Sequence, residues 1–199
     1  LITNMDSPLG SAVGNSLEVI ESVDMLKGNT SDDLWTVCRE LSCRMLMLAG
    51  IGDRDECGRL VDEAVKSGEA LKRFEMMVKL QGGDVSYIED TSKFRKASFS
   101  REVYAPADGY ITHMDSENIG LTAVLLGAGR EKKEDNIDPA AGIVISAKTG
   151  DFVKRGELLA TLFSNDKSRL DGAETRYLSA VSIGAQKPAA QPMILDYID

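Results

Sequence analysis

Between Asn15 and Gln81 the apolar residues return at helical spacing, whereas from Phe99 onward they fall in short runs separated by turn residues. The first apolar run, Leu1–Met5, reads as the end of a strand. Gly10, Ser11, Gly14 and Asn15 then form a crossing of small residues, and Ser16–Lys27 has the makings of a helix that Gly28 closes. Ser31 is placed to cap a second helix, with Asp32 and Asp33 at its positive end and Leu34, Val37, Cys38, Leu41, Met45 and Leu48 on one inward face up to Gly50. Asp53 caps a third, with Cys57, Leu60, Val61, Ala64 and Val65 inward and Gly68 as its stop. A fourth carries Leu71, Phe74, Met77 and Val78. Met45, Met47, Met76 and Met77 sit at helical spacing beside Leu and Val, which predicts core packing, and Trp35 is expected to pack with them.

Gly82-Gly83 ends the helical part, and residues 84–98 read as a linker with a short helical turn. Glu102–Ala105 and Gly109–His113 are predicted strands around a Pro106-Ala107-Asp108-Gly109 turn. Asp115 or Ser116 caps a helix with Ile119, Ala123 and Leu126 inward, and Gly127-Ala128-Gly129-Arg130 ends it. Gly142–Ala147 and Leu158–Phe163 read as strands joined through Lys148–Glu157, Ser168–Ile183 as a last helix (Leu170, Ala173, Tyr177, Val181) and Met193–Ile198 as a final strand. The expected class is α+β, with the helical segment forming part of an α/β domain, divided as 1–83, a linker 84–98 and a C-terminal unit 99–199.

Composition narrows the function. The 199 residues are long enough for a real core, and 43% hydrophobic with 28% charged residues is ordinary for a globular chain. A net charge of −9 argues against binding a phosphate backbone, which needs clustered Lys and Arg. The one local basic group, Lys93, Arg95 and Lys96 around Phe94, is expected to be a solvated connection. No apolar run approaches the roughly 20 residues of a membrane helix, and no basic-then-apolar leader is present, so no membrane partner and a cytoplasmic address are expected. Cys38, Cys43 and Cys57, with a single histidine in the chain, make no credible zinc site and read as reduced packing thiols. A chain opening Leu-Ile-Thr inside a strand is expected to be a fragment or a processed product.

The stretch with most chemistry is Met5–Glu21, MDSPLGSAVGNSLEVIE. A strand feeding a loop of small residues and then a helix is where α/β proteins gather freed backbone groups. Carbonyls of Leu9 and Ala12, joined by the Glu21 carboxylate a turn or more into the helix, would suit a hard cation bound through oxygen. On the residues alone, a solvated Glu21 and glycines that merely turn the chain are the simpler account. Gly127-x-Gly129-Arg130 does not suit phosphate, because it follows a helix, at the negative end. His113 has no obvious Ser or Cys partner and reads as structural. The Gly127–Arg130 run and the charged Glu131–Asp138 segment read as a helix stop and a solvated loop.

Two resemblances bear on these readings. DSPLGSAVGNSLEVIESVDMLKG and DGYITHMDSENIGLTAVLLGAGREKKEDNIDPAAGIV resemble the C-terminal portion of bacterial pyrimidine-nucleoside and thymidine phosphorylases over nearly the whole chain. That resemblance implies a monovalent cation, potassium (K+), on the Leu9 and Ala12 carbonyls and the Glu21 carboxylate. It also implies a parent that cleaves the N-glycosidic bond of uridine, thymidine or deoxyuridine with phosphate, and that forms a homodimer largely through N-terminal helices. The family's Lys-His-Ser-x-Gly-Gly-type phosphate loop and its base-binding Arg, Ser and Lys find no match in this sequence. No catalytic residue is therefore expected here, and the chain alone is expected to be inactive. Ala105-Pro106-x-x-Gly109 and Gly150-Asp151-x-Val153-x-x-Gly156-x-x-Leu159 also resemble biotinyl and lipoyl domains, with Lys167 near the place of their modified lysine. The hairpin signature around Lys167 is only partial, and about thirty residues split the two β halves. This implies shared barrel-sandwich architecture; a non-catalytic carrier or scaffold module is the alternative function.

Overall fold

The computed structural model describes residues 1–29, 32–130 and 132–198. Its elements run β1 (Ile2–Thr3), β2 (Ala12–Val13), α1 (Asn15–Leu26), α2 (Asp32–Leu48), α3 (Arg54–Lys66), α4 (Glu69–Leu80) and α5 (Ser86–Glu89). They continue with β3 (Phe99–Tyr104), β4 (Gly109–Met114), α6 (Ser116–Ala123), β5 (Gly142–Ile145), β6 (Phe152–Val153), β7 (Leu158–Ser164), α7 (Leu170–Ala180), β8 (Val181–Gly184) and β9 (Ile194–Asp196). The fold is mixed α and β, with small antiparallel sheets. Two compact units share the chain, and they interleave: one holds Leu1–Asn4, Ile20–Lys93 and Pro192–Asp199, the other Met5–Val19 and Phe94–Gln191. One passage between them, at Lys93–Phe94, lies inside the stretch 84–98.

In the helical unit, Asp53 caps α3 by accepting the Glu56 amide at 2.9 Å, as its position predicts. Ser31, the predicted cap of α2, lies outside the described residues. Cys57 and Val61 of α3 are buried, and so are Val37 and Cys43 of α2. Several residues predicted to face a core do not: Leu41, Met45 and Leu48 of α2, Leu60 of α3 and Met76 and Met77 of α4 are all exposed. Helical period places them on the apolar faces, but the described residues cover those faces only in part. β1 pairs antiparallel with β9, and the Asn4 amide donates to Met193 O at 2.9 Å, so the first and last strands of the chain form one ribbon. A buried carboxylate, Glu40, is 6% exposed and accepts from Arg44 Nε and Arg54 Nη2, each at 3.0 Å. Arg44 lies over the Tyr197 ring at 4.3 Å, and Arg54 donates to the Tyr197 hydroxyl at 3.1 Å, which ties the C-terminal tail to α2 and α3.

The other unit has the larger core. A four-stranded sheet, β2-β5-β7-β3, and a three-stranded sheet, β6-β4-β8, enclose Val103, Ile111, Ile143, Leu159 and Leu162, with α6, the turn after it and α7 adding Ile119, Leu126, Leu170, Ala173 and Tyr177. Asp115 caps α6 through the Asn118 amide at 3.0 Å. The last helix is shorter than its pattern predicts: α7 stops at Ala180, and Val181–Gly184 becomes β8, paired with β4 through Ile111↔Ile183 and Met114↔Val181. β-branched Val181 and Ile183 suit a pleated surface, and the waiting edge of β4 decides between the two states. Arg101 of β3 pairs with both Asp171 and Glu174 of α7, joining sheet to helix.

Tyr177 is fully buried, and among the described residues its hydroxyl has no hydrogen-bond partner; burial pushes its titration above the ordinary tyrosine range. A buried hydroxyl without a partner lowers stability. Tyr177→Phe is therefore expected to leave the melting temperature unchanged or raise it by the equivalent of ~1 kcal/mol; a drop in a thermal melt would show that the hydroxyl is satisfied.

Candidate functional site

The loop between β1 and α1 is built into the second unit by its backbone. Ser11 O accepts from Ile145 N at 2.7 Å, which starts the β2–β5 ladder of Ala12↔Val144 and Val13↔Ile143. Antiparallel alternation then directs the Ala12 carbonyl away from β5. Gly14 and Gly142 pass at close quarters where this ladder ends. A Cβ on Gly142 would lie 2.4 Å from Val13 O, and one on Gly14 would lie 2.6 Å from Ala141 O. Both glycines hold positive φ, of 145° and 151°.

The start of α1 is stitched down in three ways. The Glu18 carboxylate accepts the Gly14 amide at 2.9 Å, a reach back across the first turn. Ser16 donates to Pro139 O through both its amide and its hydroxyl. Asn15 Nδ2 donates to Ala128 O at 2.8 Å. That last bond explains the Gly127–Arg130 run. After α6 the chain makes a π turn, Val124–Ala128, with Gly127 at φ 114°. Its carbonyls are taken in order: Leu125 O by Arg169, Leu126 O by the Ser164 hydroxyl, Gly127 O by the Asp138 amide and Ala128 O by Asn15. This is a capped negative helix end.

Leu9, exposed, and Ala12, buried, belong to this second unit; Glu21, half-buried on α1, falls in the helical one. Among the described residues no three His, Cys, Asp or Glu side chains come together, so a cation at this loop would rest mainly on backbone oxygens. The loop does offer oxygen to a cation. Lys148 Nζ donates to Gly10 O at 2.7 Å, placing an ammonium on the carbonyl between Leu9 and Ser11. Glu18, Ser16, Asn15 and Lys148 hold this loop, and sequence reading gave that role to none of them. Lys148 lies just ahead of the Gly150–Leu159 string and outside it, and only the fold brings it to a loop 138 residues earlier.

The remaining candidates are placed as follows. Lys167 opens a single 3₁₀ turn, Lys167–Arg169, that runs straight into α7, so it does not occupy the hairpin tip that carrier lysines need. His113 is exposed on β4, opposite Ser182 of β8. Cys43 and Cys57 are buried and free, Cys38 is half-buried and free, and burial raises the Cys38 and Cys57 thiols, as for inert packing residues.

Residues 110–184, which hold β4 to β8, match the Pyrimidine nucleoside phosphorylase C-terminal domain family. A pyrimidine-nucleoside phosphorylase of Geobacillus stearothermophilus is 38% identical over 199 residues, covering 100% of this chain and 46% of that protein. Those of Bacillus subtilis (strain 168) and Staphylococcus aureus (strain USA300) are 40% identical over 190 residues and 39% identical over 184 residues, covering 95% and 92% of this chain. They are covered over 44% and 42% of their own lengths. Loop, helices and β unit together therefore lie within the stretch that is similar to these phosphorylases. More narrowly, the chain corresponds to the C-terminal part of the pyrimidine-nucleoside phosphorylases. It spans less than half the length of the curated relatives it matches.

Proposed function

We propose that the chain works as the C-terminal part of an enzyme that cleaves pyrimidine nucleosides with inorganic phosphate. A phosphate oxygen bonds to the anomeric carbon as the N-glycosidic bond breaks. The base leaves with the bonding pair and takes up a proton, and pentose 1-phosphate remains. The observation that carries this reading is similarity along 100%, 95% and 92% of the chain to phosphorylases from three bacteria. Uridine, thymidine and deoxyuridine are the substrates it implies, and a homodimer is the assembly. The β unit would be a barrel-sandwich support without the carrier role, in keeping with Lys167 in its 3₁₀ turn.

Within this reading the Met5–Glu21 stretch holds potassium on the carbonyls of Leu9 and Ala12 and the carboxylate of Glu21. Such an ion supplies a fixed positive charge that draws loop oxygens together. The chain's own contribution is to brace the loop: Glu18, Ser16 and Asn15 anchor its helix end, and Lys148 holds Gly10. Incubated with uridine or thymidine, phosphate and potassium, the chain alone is expected to release no base by ultraviolet absorbance. Release should appear on adding the remaining portion of the Geobacillus stearothermophilus relative, and Glu21→Gln in that mixture should weaken its potassium dependence. Release by the chain alone would overturn its reading as part of an enzyme, and an unchanged potassium dependence would remove Glu21 from the cation site.

A further inference from the structure

Lys148 reaches the Met5–Glu21 loop from a rigid footing. Its own amide donates to Asp151 Oδ2 at 2.8 Å, and the Asp151 amide donates back to Lys148 O at 3.0 Å, which closes a β-turn. That turn is held from two strands. Gly150 N donates to Ile111 O of β4 at 2.8 Å, and Ala147 N, just ahead of the turn, donates to Leu159 O of β7 at 3.3 Å. From there the half-buried side chain carries its ammonium to the carbonyl of the buried Gly10 at 2.7 Å, a charge-assisted hydrogen bond. Gly10 follows Leu9 and stands two residues before Ala12, and all four residues belong to the same compact unit.

Oxygen donors accompanied by acidic side chains ordinarily suit a divalent ion such as calcium, and Met5–Val19 carries two carboxylates, Asp6 and Glu18. Resting on the reading under Proposed function, we propose that Lys148 sets which cations the loop accepts: its fixed ammonium on Gly10 O admits a monovalent ion and turns away a divalent one. Repulsion between like charges grows with their product, so a divalent ion meets twice the opposition that potassium meets from the same ammonium. The Lys148 backbone is fixed through its turn to β4 and β7, and withdrawing the side chain would strip the Gly10 carbonyl of a charged donor. A brace alone would serve every ion alike. Discrimination by charge is the property that a neutral brace lacks.

The test follows thermal melts of the complete 199-residue chain as potassium chloride or barium chloride is raised at constant ionic strength, with choline chloride making up the balance. Barium is a divalent ion close to potassium in size, so the comparison isolates charge. An ion that binds the folded chain raises the melting temperature, and the concentration dependence gives its apparent affinity. Lys148→Gln keeps an N–H donor and removes the charge. It is expected to shift the ratio of barium to potassium affinity toward barium on the order of tenfold. Lys148→Met, a second neutral side chain, should shift the ratio the same way. Lys148→Arg keeps the charge and should hold the ratio within about twofold of the parent chain. A ratio unchanged in both neutral variants would overturn the proposal and leave the cation reading in place, and so would an equal shift in Lys148→Arg. A parent chain that binds barium more tightly than potassium would also overturn it. Melts of all four proteins that respond to neither ion would overturn the cation reading, and the proposal with it.

Discussion

Replacing Gly142 by alanine is expected to destabilise the β unit by ~3–5 kcal/mol, a large share of the 5–15 kcal/mol that holds a typical domain together. Two costs combine. At φ 151° an L side chain is strained, and the new Cβ would stand 2.4 Å from Val13 O and 3.1 Å from the Gly14 Cα. The Leu17 Cδ1, 2.9 Å away, can swing aside, but the two backbone neighbours cannot. Relief requires β2 to move off β5, which loosens the loop that carries Leu9 and Ala12. Gly150→Ala serves as the control: φ there is 97°, but a Cβ meets nothing within 4 Å. It should cost only the backbone strain, about 1–2 kcal/mol. At about 2–4 °C per kcal/mol for a chain of this size, the two melts should separate clearly. Coincident melts would mean that the β2–β5 crossing is wider than described.

The second large effect belongs to the helical unit. Burial by itself would push the Glu40 carboxyl up, but hydrogen bonds from Arg44 and Arg54 and their charges outweigh it, and the group is held below its ordinary range. A carboxylate depressed in the folded state contributes stability above its unfolded pKa and loses it as pH falls through the folded value. Glu40→Gln is therefore expected to cost ~1–2 kcal/mol at pH 7, and the gap from the parent chain should close below about pH 4. Arg54 is more than half exposed, so solvent screens part of its share. Arg44→Met with Arg54→Met is the harsher change: it leaves a buried carboxylate without either cation, at a cost of ~3 kcal/mol. In that double variant the sign reverses, because an unpaired buried carboxyl has a raised pKa, and stability should increase as pH falls from 7 toward 5. Thermal melts across pH 3–8 decide the matter; parallel curves for all three proteins would show that Glu40 is not buried against the arginines.

Local signals were legible where local physics decides. Asp53 and Asp115 cap the helices that their positions predict, Ile119, Ala123 and Leu126 face inward, and the phosphorylase-like strings lie in the chain that matches phosphorylases. Period alone misplaced Leu41, Met45, Leu48, Leu60 and Met77, because a 3.6-residue repeat states which face is apolar and not whether anything covers it. Val181 and Ile183 were read as helix for a related reason: their fate depended on β4, some seventy residues earlier, offering an edge. The two-residue β2 was hidden within a glycine-rich loop, and its strand character comes entirely from β5.

For the candidate site the division is similar. Sequence alone determined where α3 and α6 begin, which side chains from Ile119 to Leu126 face inward, and which family the chain resembles. All of these follow from side-chain chemistry and short-range spacing. Only the tertiary structure decided that Lys148 reaches Gly10, that Asn15 closes the π turn at Ala128, that Gly142 must lack a side chain and that Arg44 and Arg54 converge on Glu40. Those contacts join residues up to 138 positions apart, and no local preference encodes a distance that exists only once both sheets have formed.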